Sequence, residues 1–293
     1  MLAKTFGSAL HGVDATIITV EVSEGQGQLF FIVGLPDGAV KESTHRVESA
    51  IKQVGYFFPR TKVVVNLAPA DIRKEGSAYD LPIALGVIHA SGQANLKELE
   101  NYVIMGELAL DGSLRPIKGV LPIAIEARKK GFKGFILPTE NAYEASIVNN
   151  LDVIGVTSLK QAAEFLKGSL VIEPLVTDTR DIFTSSQNDY DADFSHVQGQ
   201  ENIKRALEIT AAGGHNAIMI GPPGAGKTML AKRIPSILPP LSLQEALETT
   251  KIHSVAGKLG TKASLISTRP YRSPHHTISD AALVGGGVNC HKL

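Results

Sequence analysis

The stretch Asn216-Ala-Ile-Met-Ile-Gly221-Pro-Pro-Gly-Ala-Gly226-Lys227-Thr228 decides how this chain is read. Asn216–Ile220 is a short apolar run that predicts a strand, and the residues after Thr228 predict a helix reaching about Leu238. Between them, Gly221 to Thr228 fill every fixed position of the pattern G-x-x-x-x-G-K-[ST]. Strand, glycine-rich turn and helix in that order aim main-chain N–H groups at a helix N-terminus, whose partial positive charge favours a phosphate. Gly221, Pro222, Pro223, Gly224, Ala225, Gly226, Lys227 and Thr228 are therefore the candidate nucleotide-binding residues. The glycines let the backbone curl inward. Lys227 is expected to reach the β- and γ-phosphates, and the Thr228 hydroxyl to ligate Mg2+. ATP and Mg2+ are the ligands this predicts. An ordinary glycine-proline turn ahead of a helix needs neither Lys227 nor Thr228.

Around the loop, Ile203, Ala206, Leu207 and Thr210 share one helical face that stops at Gly213-Gly214. Ser242-Leu-Gln-Glu245 is a capping box that opens another helix. Residues 169–195 are polar, acidic and without period, and read as a linker. Residues 1–168 read as a separate α/β unit. Val13–Val22 and Leu29–Val33 predict strands on either side of a Gly25-Gln-Gly27 turn. Val40, Val47, Ala50, Ile51 and Val54 follow helical spacing up to Gly55. Lys62–Leu67 is a buried strand candidate, and Ala78–His89 an apolar helix interrupted at Pro82. Asp111-Gly112, between Tyr102–Leu110 and Leu114–Ile117, predicts a hairpin whose two central residues both take positive φ. A helix over Val120–Lys130, a strand over Gly134–Leu137, a short helix near Glu140–Ile147 and a strand over Asp152–Val156 follow. A helix over Leu159–Lys167 comes last, with Ser158 as N-cap and Gly168 as its stop.

Composition narrows the classes. The chain has 293 residues, 43% apolar and 20% charged, which is globular and long enough for about two domains. Its 29 basic and 29 acidic side chains cancel, which argues against bulk coating of nucleic acid. No tryptophan is present, so no aromatic stacking surface is legible. The single cysteine, Cys290, has no internal disulfide partner and fits a reducing compartment; a cytoplasmic location is expected. No apolar run is long enough to span a bilayer, and residues 1–10 lack a secretory pattern. The basic runs Arg128-Lys-Lys130 and Lys232-Arg233 read as solvated helix faces.

Two further stretches carry a resemblance. They are His196-Val-Gln-Gly-Gln-Glu-Asn-Ile-Lys-Arg-Ala-Leu-Glu-Ile-Thr-Ala-Ala-Gly-Gly-His-Asn216 and Arg269-Pro-Tyr-Arg-Ser-Pro-His-His-Thr-Ile-Ser-Asp-Ala-Ala-Leu-Val-Gly-Gly-Gly287. With the phosphate loop they resemble the magnesium-chelatase-like AAA+ ATPases, in particular the YifB/ComM group. Residues 1–168 are similar to that group's N-terminal domain. The resemblance implies an α/β protein, with a Lon-protease-like α+β domain followed, over 196–293, by the first half of a P-loop AAA+ domain. It implies a hexameric ring of identical subunits that hydrolyses ATP. For the ComM branch it implies remodelling or branch migration of DNA during natural transformation, so DNA enters as a partner by resemblance only. The helix of Gly199–Ala211 would flank the adenine pocket. Arg269, Arg272, His275 and His276 would contact a neighbouring subunit or DNA, or else form a proline-stiffened surface hairpin. A zinc site from His275, His276, Cys290 and His291 matches none of the usual spacings.

The chain also departs from its relatives. Lon-type proteases use a Ser–Lys dyad. Where their serine motif reads Lys-Asp-Gly-Pro-Ser-Ala-Gly, this chain has Lys74-Glu-Gly-Ser-Ala-Tyr-Asp80, which puts Ala78 at the nucleophile position. Where the lysine motif reads Pro-Ile-Gly-Gly-Leu-Lys, it has Pro116-Ile-Lys-Gly-Val-Leu121, which puts Leu121 at the base position. Both reacting groups are missing, and proteolysis is not expected. In the family the acidic pair that positions Mg2+ and water follows Gly287, and no such pair occurs before Leu293. The expectation is a motor truncated before its acidic motif, which binds ATP and hydrolyses it poorly. The competing readings are a non-enzymatic interaction module based on the degenerate Lon-like domain, and metal insertion into a tetrapyrrole. The last is disfavoured because chelatase ATPase subunits begin near their nucleotide core.

Overall fold

The computed structural model describes residues 2–186, 190, 192–260, 265–275 and 277–279. They form two compact units. The first is built from the described residues of Met1–Thr177 and Lys251–Ser264, the second from those of Asp178–Thr250 and Leu265–Lys292.

In the first unit β1 (Leu2–His11), β2 (Asp14–Gly25), β3 (Phe30–Val33), α1 (Gly38–Gln53), β4 (Lys62–Ala68) and α2 (Asp80–Ala90) come first. They are followed by β5 (Tyr102–Ile104), β6 (Glu107–Leu108), β7 (Leu114–Arg115), α3 (Val120–Lys129), β8 (Gly134–Pro138), α4 (Ala142–Ala145), β9 (Asp152–Val156) and α5 (Leu159–Lys167). Seven strands make one mixed sheet in the order β3-β4-β2-β1-β5-β8-β9. β1, β2 and β4 are antiparallel neighbours; β3 runs parallel to β4, and β5, β8 and β9 continue parallel to β1. The core is aliphatic: Ile18, Val20 and Val22 of β2, Val63, Val65 and Leu67 of β4 and nearly all of α2 are buried. Fully buried β8 reads as a continuous apolar run, as a strand covered on both faces must.

Several elements differ from the sequence reading. β1 carries no strand pattern in its sequence, because its buried positions include Ala3, Thr5, Ser8 and Ala9, small or polar residues that give little apolar alternation. The hairpin at Asp111-Gly112 is a three-residue loop. Leu108 pairs with Leu114, the Ala109 N–H donates to Ser113 O, and only Gly112 takes a positive φ, of 83°. That is a type I turn closed by a left-handed glycine. Pro82 lies in the first turn of α2, where a missing N–H breaks no bond, so the helix is uninterrupted. The predicted caps of α5 hold: Ser158 Oγ accepts the Gln161 N–H, and Gly168 closes the helix at φ 76°.

One ion pair, buried at Asp80 and partly exposed at Arg46, joins three elements. Asp80, fully buried at the start of α2, accepts from Arg46 of α1 at 2.6 and 3.1 Å and from the Leu108 N–H of β6 at 3.2 Å. Burial outweighs these contacts and pushes the Asp80 carboxyl up to about 6. A raised acid favours the folded state while it is protonated, and that contribution is lost as pH rises through about 6. Removing the counter-ion should cost about 3–5 kcal/mol when the carboxylate stays charged. Arg46→Met is therefore expected to lower the urea midpoint strongly at pH 8 and less at pH 5, where Asp80 takes up a proton. An Arg46→Met midpoint equal to wild type at pH 8 would contradict the pairing.

Candidate functional site

The second unit holds the phosphate loop. Its helices are α6 (Thr179–Ser186), α7 (Glu201–Gly213), α8 (Lys227–Arg233) and α9 (Leu243–Val255), the last of which continues into Lys251–Ser264 of the first unit. α6 falls inside the stretch read as a linker. A small core of Phe194, Val197, Leu207 and Leu230, with Met219, Ile234 and Ile237 against it, packs α7 and α8 together. The capping box of α9 is reciprocal: Ser242 Oγ accepts the Glu245 N–H, and Glu245 Oε2 accepts the Ser242 N–H at 2.8 Å. That main-chain contact holds the Glu245 carboxyl below the usual range.

Asn216–Ile220 forms no strand among the described residues. Met219 packs on the core, while Ile218 and Ile220 are 86% and 93% exposed. Only Met219 of the run is drawn inward, and without a neighbouring strand to pair with, the apolar run does not become a strand. The helix after the loop is also shorter than read: α8 stops at Arg233 and a 3-10 turn covers Ile234–Ile237, where Pro235 denies a main-chain donor.

The loop itself is curled. Gly224 and Gly226 both take φ of 80°, and Gly226 is the left-handed residue that caps α8. Lys227 is the first residue of the helix, and its ammonium folds back to donate to the carbonyls of Gly221 and Pro222 at 2.7 Å each. The Lys227 ammonium and the carbonyls of Gly221 and Pro222 thus meet at a helix start, with Thr228 exposed. Gln200, itself left-handed at φ 58°, brings Nε2 to 3.8 Å from where a Cβ on Gly226 would stand. The loop motif gives no hint of this neighbour; the only signal is its place beside Gly199 at the opening of α7.

The flanking segment is partly tied down. Arg269 Nε donates to Pro239 O at 2.7 Å, and its guanidinium lies 3.8 Å from Glu245. His275 Nδ1 shares a hydrogen with Thr277 Oγ1 at 2.7 Å. His276, Cys290 and His291 lie outside the described residues, among which no group of three or more metal-ligating side chains gathers.

Comparisons agree with this layout. A family model described as subunit ChlI of Mg-chelatase matches residues 18–141, and a second, magnesium chelatase subunit ChlI, matches residues 193–292. The protein named YifB of Salmonella typhimurium is 46% identical over 289 residues, which cover 98% of this chain and 56% of that protein. Competence protein ComM of Haemophilus influenzae is 40% identical over 290 residues, with the same coverage. The chain belongs to the magnesium-chelatase-like YifB/ComM family. It spans about half the length of the curated relatives it matches. Lon protease 2 of Bacillus subtilis is 29% identical over 135 residues, 46% of this chain and 23% of that protein. As a YifB/ComM protein, the chain pairs a Lon-like α+β unit with a P-loop AAA+ segment. No helix among the described residues is long and apolar enough to cross a membrane.

The Lon-like unit keeps a cleft of about 640 Å3, bordered by Ser77, Ala78, Glu107 and Lys118. The Ser77 hydroxyl donates to Glu107, and Leu121 is fully buried in α3. The structure thus brings Ala78 to the cleft and withdraws Leu121 from solvent.

Conformation, not space, demands glycine at 226, because a Cβ there would have no contact nearer than 3.6 Å. Gly226→Ala should cost about 1 kcal/mol through its left-handed φ and should loosen the loop. Thermal melting should fall by a few degrees at most, while affinity for an ATP analogue falls at least threefold; unchanged affinity would detach the loop from nucleotide binding.

Proposed function

We propose that this chain is the nucleotide-binding portion of a YifB/ComM-type AAA+ remodeller, taking ATP with Mg2+ at Gly221–Thr228. The observation that carries the reading is the Lys227 ammonium held inside its own curled loop by two neutral carbonyls. A triphosphate oxygen is a stronger, charged acceptor for the same group. Phosphate would then take Lys227 and main-chain N–H groups of the loop, and Thr228 would ligate the metal. ATP supplies the transferable phosphoryl group and Mg2+ neutralises it; the chain's residues orient both.

Of the parts phosphoryl transfer needs, the described residues supply the loop, its lysine and its threonine. We therefore expect residues 1–293 to bind nucleotide, more weakly than an intact ATPase of the family, and to hydrolyse it slowly, since much of that catalysis comes from charge placed around the γ-phosphate and water. A homohexameric ring acting on DNA, with a role in transformation, is proposed for the longer relatives' architecture; the support is the likeness to competence protein ComM. The balanced charge of this chain favours weak DNA contact outside such a ring. The exposed Ile218 and Ile220 are consistent with a P-loop sheet that needs further strands.

Lys227→Ala is expected to weaken Mg2+-dependent binding of a fluorescent ATP analogue at least tenfold, with the fold unchanged by circular dichroism. Equal binding by wild type and Lys227→Ala would sink the reading.

A further inference from the structure

The cleft of the Lon-like unit contains an open strand edge. β1 pairs with β2 from Leu2 to His11 but with β5 only at Phe6. Past Phe6 its second edge faces the cleft. Ser8 shows the direction of the main-chain groups there: its N–H donates to Met105 Sδ at 3.2 Å, and its carbonyl accepts from the Tyr79 hydroxyl at 2.8 Å. In an antiparallel ladder this outward direction recurs at every second residue. The N–H and C=O of Leu10, which borders the same cleft, therefore point away from β2 as well.

The ionised groups around this edge are matched, with one exception. Arg73 pairs with Glu75 at 3.2 Å, and Glu107 is engaged by Ser77 and by Arg115 at 3.5 Å. Both Asp37 oxygens accept main-chain N–H groups, from Val40 and Gly76. Lys118 is exposed, borders the cleft, and has no partner among the described residues.

We propose that this cleft docks an extended polypeptide segment, which adds as a strand to the Leu10 edge of β1 and sets a carboxylate against Lys118. A donor and an acceptor on one strand residue with no partner among the described residues are what an extended peptide satisfies and what a nucleic-acid backbone, with no N–H donors, cannot. One unmatched cation suits a single carboxylate better than a polyanion, which needs several. The volume of about 640 Å3 falls within the range of ligand clefts. No bond of the segment breaks, because Ala78 and Leu121 occupy the positions of a nucleophile and a base. Docking here is independent of the nucleotide reading.

The test passes a synthetic hexapeptide library with free C-termini over the immobilised 293-residue chain. Retained peptides are expected to be enriched in Asp or Glu, or to require the free C-terminal carboxylate, and to be recovered uncleaved. Lys118→Glu, an exposed change that leaves the core alone, should turn the selection toward Lys and Arg. Ala78→Phe, which fills the cleft, and N-methylation of alternate peptide nitrogens should each weaken binding at least tenfold. Retention that is indifferent to both Lys118→Glu and N-methylation overturns the proposal. So does the absence of retained peptides, including the case where labelled oligothymidylate binds instead in a manner sensitive to Ala78→Phe.

Discussion

The contact on which the first unit turns is the Asp80 carboxylate, fully buried and held by Arg46 and the Leu108 N–H. It fixes three things at once: the start of α2, the inner face of α1 and the approach of the β6–β7 hairpin. Ser77, Ala78 and Tyr79 immediately precede Asp80, so the wall of the cleft is set by the same contact. A hydrophobic pair would hold α1 to α2 with less penalty. It would not fix the rotation of α2 about its axis, because apolar contacts have no preferred direction. A bidentate guanidinium does. The direction in which Tyr79 sends its hydroxyl, onto Ser8 O, follows from that orientation.

The two units differ in how much they bury. In the first, β8 and α2 are covered on every side, and residue types alone predict their burial. In the second, Ile218 and Ile220 stand almost fully exposed on a segment whose pattern is that of a strand. Sheet structure is a property of pairs, since each strand's N–H and C=O groups need a neighbour's. A lone apolar segment, with no such neighbour among the described residues, does not become a strand. The phosphate loop does not share this dependence. Its shape is set by local terms, two glycines at positive φ and one lysine reaching back over six residues, and it is formed without a paired strand among the described residues of its unit.

What was legible in the sequence follows the same division between local and paired terms. β9 and α5 appear within the residues their patterns marked, because Ser158 and Gly168 are local stop signals and Asp152–Val156 is a buried run. The capping box at Ser242 and Glu245 is likewise visible from spacing alone. β1 was not legible, since Thr5, Gly7 and Ser8 fill interior positions with little apolar content. It is a central strand because β2 and β5 flank it. The hairpin was located correctly and its turn misread, because Asp-Gly also serves the last two positions of a three-residue loop, where only glycine needs positive φ. At the proposed nucleotide site the motif marks its own residues and says nothing of Gln200, which arrives through the fold.

A reacting pair of side chains and a binding surface depend on different parts of a chain, and the cleft of the first unit shows why. A serine–lysine pair needs two side chains within hydrogen-bond reach, so one substitution at each position removes it. Ala78 is smaller than serine, and buried Leu121 fits a packed helix better than a desolvated lysine does. Alanine at 78 and leucine at 121 therefore carry little penalty in the fold. The open edge of β1 belongs to the backbone, and no side-chain substitution short of proline removes it. An unpaired edge is a liability that proteins usually blunt with charge, proline or a covering element. Here Lys118 stands beside it with no partner among the described residues. A cation at an open edge discourages indiscriminate strand pairing and admits a segment that brings its own carboxylate.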